Sequence, residues 1–360
     1  MIKKEHNNSV TIAKAMGIIL MVIGHSGCPQ VLFNISYLFH MPLFFFCSGI
    51  FYKEMLNWDS ASIFLRKRIK GLYFPFVKWS VSFLLLHNLL MLVGIYNPYY
   101  GYEGGSSLYS LSDVFYKLCL IMFTMHDYEE LLGGFWFIRA LFVTSVLVAV
   151  FSLLIKKLFK FKYELICMLF LVLTILIRRI APDPEFWRDV SMGTFGGFFY
   201  MLGYILMQYN KCWNNKYGVI ACCLLLLLSY FYFKDGISMG CGYNKVIPFS
   251  ISAISGTMLT ICISIVIEKR LIIVKHVLYY IGNHTLNILA LHFLSFRFVS
   301  YIIVLYLGVD AIHVAEHPVI NDVNSPHSCW WILYCIIGIA FPLFLNWVWQ
   351  IVIEKLKGLV

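Results

Sequence analysis

The sequence predicts an all-α fold: a polytopic transmembrane helical bundle of about ten spans with both termini cytoplasmic. Three observations carry this. Of the 360 residues, 61% are hydrophobic and only 13% charged, against about a quarter charged in soluble domains. Apolar runs of about eighteen residues or more recur along the whole chain, the length that crosses about 30 Å of hydrocarbon. Lysine and arginine gather in short clusters on one set of loops between those runs.

The runs fall at about 11–30, 35–52, 72–95, 134–155, 163–180, 191–209, 217–234, 247–267, 284–307 and 329–353. The stretch 114–126 is apolar but short, and is expected to lie in the interface or re-enter rather than span. The first run follows a polar start and no small-residue cleavage site succeeds it, so it reads as a retained span rather than a signal peptide. No repeat and no Pro- or Ser-rich linker divides the chain, which reads as a single domain over 1–360.

Charge fixes the orientation. Lys53, Arg66, Lys67, Arg68 and Lys70 share one loop; Lys156, Lys157, Lys160 and Lys162 another; Lys211 and Lys216 a third; Lys269, Arg270 and Lys275 a fourth. The positive-inside rule assigns these loops to the cytoplasm. Both termini then lie on the same side, and the number of spans is even. The net charge of +10 is accounted for by anionic headgroups, so membrane lipid is the expected partner and nucleic acid is not. A multi-pass location in the cell inner (plasma) membrane follows.

Segments 96–113, 181–190 and 308–328 are expected outside. Aromatic residues make up 18% of the chain; interfacial belts and stacking on sugar rings account for them equally well. The eleven cysteines include no CxxC pair and read mostly as small buried hydrophobes. Cys28, Cys241 and Cys329 share the outer side, where a disulfide among them is compatible with the topology.

Ionisable groups inside spans are costly and face a cavity or one another. Lys14 and His25 lie eleven residues apart in the first span, three helical turns plus about 20°, on one face and separated by about 16 Å of rise. A cation at the cytoplasmic end and a titratable base deeper in is one reading. Snorkelling by Lys14 and a structural hydrogen bond by His25 is the other. His40 follows across a short loop and is expected beside His25. Trp136 and Arg139 open the fourth span; His292 and Arg297 lie in the ninth. For both arginines, anion binding and snorkelling stay open.

Lys14 and His25 with ten residues between them, His25 standing in the run Gly24, His25, Ser26, followed by FHMPLFFFCSG from Phe39 to Gly49, resemble the membrane acyltransferase 3 family. That family has an Arg or Lys, ten residues, then an essential His in its first span. Trp136, Phe137, Ala140, Leu141 and Phe142 resemble its WF-x-x-ALF stretch, and Ile281, Gly282, Asn283 to Leu291 and His292 its late IG-x-x-(S/T)-L…LH stretch. Two positions depart: Thr11 stands where the family often has Asp, and Gly71 where the second arginine of R-x-x-R is common, with Lys70 beside it. No SGNH-type esterase domain follows the last span, so the resemblance is to a stand-alone member.

The resemblance implies an O-acyltransferase taking an acyl group from cytoplasmic acyl-coenzyme A, acetyl being the commonest donor, to a hydroxyl of a surface or lipid-linked glycan. His25 is then the general base, since a histidine titrates near neutrality. Lys14, Arg68 and Lys70 are expected to hold the donor phosphates. Ser26, His40, Trp136, Arg139 and His292 are expected at the acceptor or in support of it. No metal is expected: His313, Glu316 and His317 spell H-x-x-E-H, but Pro318 follows at once and no suitable third ligand stands downstream. Glu129, Glu130 and His126 read as a solvated acidic patch. The rival function is a transporter or flippase of a glycan or small molecule, against which no interrupted helix recurs in two halves.

Overall fold

The computed structural model describes residues 2–55, 57–102, 104–126, 129–158, 163–180, 185–208, 216–239, 245–321 and 328–357. Lys160, Lys162, Lys211, Cys241 and Asp322 lie outside them, as do the side chains of Lys156 and Lys157. Among the described residues there is no strand. The helices are α1 (Ile2–His25), α2 (Gln30–Tyr37), α3 (His40–Ile50), α4 (Trp58–Arg68), α5 (Phe74–Leu92), α6 (Leu111–Thr124), α7 (Trp136–Leu158), α8 (Tyr163–Ile180), α9 (Glu185–Gln208), α10 (Lys216–Tyr232), α11 (Val246–Arg270), α12 (Ile272–Asn283), α13 (Thr285–Leu307) and α14 (Trp330–Lys357).

Seven described stretches are long and apolar enough to cross a membrane: Asn8–His25, Gln30–Ile50, Trp58–Leu92, Glu130–Ile155, Val246–Arg270, Thr285–Leu307 and Trp330–Lys355. The other three expected spans are helices too. Arg178 and Arg179 end α8, Arg188 and Asp189 lie in the first turns of α9, and α10 is short. The structure also differs from the expected loops. The basic loop 53–70 is largely helical: Asn57 and Ser60 close a capping box that starts α4. A π-helical turn, Ile69–Tyr73, joins α4 to α5. Pro75 explains the widening, since it has no N–H to continue the regular ladder.

Local chemistry sets the other breaks. Pro42 offers no N–H to the carbonyl of Leu38, so α2 cannot run on into α3, and Pro42 is tolerated in the first turn of α3. The first span ends earlier than its apolar run, because Gly27 turns with φ 74 just past His25. Ser110 and Asp113 form a second capping box at α6.

The chain divides into two units. The first comprises 1–17, 34–75 and 136–282; the second 18–33, 76–135 and 283–360. In the first, α9 packs against α3, α7 and α8. The α3–α9 crossing is backbone to backbone: a Cβ on Gly49 would strike the carbonyl of Tyr200, and one on Gly203 the carbonyl of Phe46. Small residues permit such approaches between membrane helices. Helix α11 buries Ser250, Ser252, Ser255, Thr260 and Ser264, each hydroxyl returned to a carbonyl about one turn earlier. In the second unit, α13 packs against α14 and two 3-10 turns, Glu130–Phe135 and Ala311–Ala315.

Candidate functional site

The second unit gathers three imidazoles around one phenyl ring. His25, the last residue of α1, sits half-buried with its ring 5.0 Å from Phe293 and 5.6 Å from His292. His292 lies 4.0 Å from Phe293, and His317 4.6 Å from it on the far segment. Helix α13 supplies His292 and Phe293 as neighbours; the turn after α1 ends the helix so that His25 is terminal rather than deep in the span.

His292 is fully buried. Its Nδ1 lies 3.1 Å from the carbonyl of Ile288 and 3.0 Å from that of Leu289. Carbonyls accept, so Nδ1 carries a proton. Nε2 has no partner among the described residues. His317 is held neutral, pushed down to about 3 chiefly by burial and then by the nearby Arg297 and His292.

Arg297 stitches this region together. It is 2% exposed, donates to Glu130 at 2.8 Å and to the carbonyls of Val314 and Glu316. It therefore neither snorkels nor presents a free guanidinium to an anion. Glu130 and Glu129 are not a solvated patch: Glu129 is buried against His87 at 2.7 Å, and His87 donates again to the carbonyl of Ser107 at 2.9 Å. Glu316 faces His313 at 2.5 Å and accepts from the backbone N–H of Asn321 at 2.7 Å. His313, in the 3-10 turn, and Glu316, which caps it, thus brace the loop, while His317 packs on Phe293. No group of three His, Cys, Asp or Glu gathers as metal ligands among the described residues.

A cavity of about 360 Å³ opens beside His25, lined by residues of the turn 24–33 and of the segment 318–321. Ser26 fixes the turn: it is buried, donates to the carbonyl of Ile23 at 2.7 Å and accepts from the Cys335 thiol at 3.2 Å. Cys28 and Cys329 are free thiols, so the disulfide considered from the sequence does not join them.

The first unit holds the remaining residues singled out from the sequence. Lys14 is half-buried near the Cys47 thiol and makes no ion pair with a described residue. Arg68 donates to the Tyr200 hydroxyl at 2.7 Å, its guanidinium 4.9 Å over the ring of Phe64. Lys70 is exposed on the π-helical turn. Around Arg68 stand Tyr52, hydrogen-bonded to Ser152 at 2.8 Å, and Tyr204, bonded to Glu54 at 2.9 Å. His40 is buried in this unit and donates from Nδ1 to the Ser36 carbonyl at 2.7 Å. Trp136 packs edge-on against Phe137. Arg139 forms an ion pair with Asp189.

A chain that is helical without strands among the described residues, with several helices long and apolar enough to cross a membrane, is a multi-pass membrane protein, and one of its imidazoles, His25, lines a cavity. The family model described as an acyltransferase domain, acyltransferase 3, matches residues 7–347. The chain belongs to that family and is a membrane acyltransferase. Neither the curated proteins nor the solved structures gave a match.

Proposed function

We propose that this protein moves an acyl group, acetyl first among candidates, from acyl-coenzyme A to a hydroxyl of a surface or lipid-linked glycan, with His25 as general base. The observation that supports the reading is His25 at a cavity wall with the His292 ring 5.6 Å away. An imidazole with access to a cavity and buried aromatic neighbours is suited to take a hydroxyl proton.

The reaction balances as follows. His25 takes the proton of the acceptor hydroxyl as its oxygen attacks the thioester carbonyl. The tetrahedral intermediate collapses, the C–S bond breaks, and the coenzyme A sulfur leaves with the proton returned by the imidazolium. The products are an ester and free coenzyme A. Lys14, Arg68 and Lys70 supply cations for the donor phosphates; Arg68 is pre-oriented by Tyr200 and Phe64, which lowers the ordering cost of binding. One helix, α1, carries both Lys14 and His25. Ser26, His40, Trp136 and Arg139 act in support, holding the turns and helices that present these groups.

The test is His25→Gln in membranes supplied with labelled acyl-coenzyme A. Gln keeps hydrogen bonding but cannot serve as base, so ester formation should fall by about a hundred- to ten-thousand-fold at equal protein level. Transfer at the wild-type rate would assign the base elsewhere.

A further inference from the structure

Resting on the reading of His25 as general base, we infer that Phe293 is a positioning residue for the transfer. Its ring holds the His25 imidazole in register with His292, and Gly133 leaves the space that the ring needs.

Phe293 follows His292 directly on α13 and is 2% exposed. Its ring centre stands 5.0 Å from that of His25, with the planes at 62°, and 4.0 Å from that of His292. Aromatic rings about 4.5–7 Å apart attract beyond the area they bury. His25 is the last residue of α1 and lines a cavity. An imidazole at a cavity edge can rotate about its side-chain bonds and carry its nitrogens out of line. A rigid ring packed edge-on against it restricts that rotation. A general base has to stand within hydrogen-bond reach of the proton it takes, and a misplacement of about 1 Å costs about a hundredfold in rate.

The phenyl ring is itself held in place. Phe296, one turn later on α13, meets it edge-on at 6.1 Å, and His317 packs on it at 4.6 Å. The turn Glu130–Phe135 closes in from another segment: a Cβ on Gly133 would lie 3.2 Å from Cε2 of Phe293, tighter than ordinary contact. That turn is anchored. Glu130 accepts from Arg297 at 2.8 Å and from the backbone N–H of Tyr102 at 3.0 Å, and the N–H of Leu132 donates to the carbonyl of Glu129 at 2.8 Å. Gly133 has no positive φ, so its backbone accepts alanine and the added methyl acts on the ring. Leucine at 293 has no atom at Cε2 or Cζ, so the same methyl then meets no ring.

The test is a double-mutant cycle on full-length protein in membranes supplied with labelled acetyl-coenzyme A, with rates taken per folded molecule recovered. Phe293→Leu should lower the maximal rate of ester formation about ten- to a hundredfold and leave KM for acetyl-coenzyme A unchanged. Gly133→Ala, which keeps the phenyl, should lower the maximal rate in the same way, again with KM unchanged. The double variant should be no slower than Phe293→Leu alone, since contacting residues are non-additive, whereas independent damage to the turn and the helix would add. A wild-type maximal rate in Phe293→Leu, or a Gly133→Ala cost that adds in full to that of Phe293→Leu, would overturn the inference. His25→Gln, measured alongside, judges the reading beneath it. Transfer by that variant at the wild-type rate removes the base and the positioning role together; its loss beside a full rate in Phe293→Leu removes the positioning role alone.

Discussion

At the residue scale the informative atom is Nε2 of His292. It is buried and unpartnered among the described residues, while Nδ1 is committed to two carbonyls. A buried polar atom without a partner costs about 1–3 kcal/mol, and the cost is recovered when a partner arrives. The His25 ring lies 5.6 Å away; under the proposed mechanism the donor is the N–H of protonated His25, a contact that tightens only during turnover. His292→Leu should then lower kcat about ten- to a hundredfold, the worth of a hydrogen bond to a charged group, with KM for the donor unchanged. His292→Gln, which restores an acceptor oxygen, should recover part of it; a kcat unaffected by His292→Leu would reduce His292 to packing. His317 yields a different prediction. Its folded value of about 3 lies below the ordinary 6.5, so the unfolded chain binds the extra proton and stability rises with pH. The stabilisation is full above about pH 6.5 and is lost as pH falls toward 3, by up to about 1.4 kcal/mol per pH unit. Thermal unfolding in detergent from pH 7 to 4 should show a shallower decline for His317→Gln than for wild type. His25 and His292 were legible in the sequence as ionisable groups within apolar runs. His317 was not, because its role depends on Phe293 and Arg297, which reach it only through the tertiary fold.

Among the elements, the α3–α9 crossing and the Arg297 brace bear most directly on whether each unit forms. The crossing needs Gly49 and Gly203 because each faces a backbone carbonyl, and a backbone cannot yield as a side-chain tip does. Gly49→Val and Gly203→Val should each lower the amount of folded protein recovered in detergent and its melting temperature, whereas Gly71→Ala, with open space around it, should leave both unchanged. Indistinguishable melting for Gly49→Val would mean that the two helices do not touch. Arg297 binds the 3-10 turns to α13 through Glu130 and two carbonyls, and loss of one partner of a buried pair costs about 3–5 kcal/mol. The sequence supplied helices nearly everywhere they occur, since long apolar runs admit little else in a bilayer. It missed the capped helix α4 in the basic loop and the short α12. It also read Glu129 and Glu130 as solvated, because adjacent acids in a polar stretch look like surface until their distant partners, His87 and Arg297, are brought to them.

For the whole molecule, the parity of the spans decides on which side each terminus lies. Seven stretches among the described residues meet the length and apolarity needed to cross, an odd number that by itself separates the termini. Helices α8 and α9 pack on each other along their length, and a pair that crosses together leaves parity unchanged. Helix α10 therefore decides it. Its 17 residues rise about 25 Å, at 1.5 Å each, near the lower limit for a span. Leu224, Leu225, Leu227, Leu228 and Phe231 on it are exposed, as lipid-facing residues are, and it packs on α11, itself one of the seven. With α8, α9 and α10 all crossing, the count is ten and both termini lie on the side of the basic clusters that include Arg66, Lys67 and Arg68, the cytoplasmic side by the positive-inside rule. Reporter fusions at the N-terminus, at the C-terminus and in the segment between α9 and α10 read this directly. The expected outcome is cytoplasmic signals at all three. A C-terminal reporter on the opposite side from the N-terminal one would make the count odd and remove α10 from the membrane. An exported reporter between α9 and α10 would instead invert that part of the chain, and with it the cytoplasmic assignment of its basic residues Lys211 and Lys216.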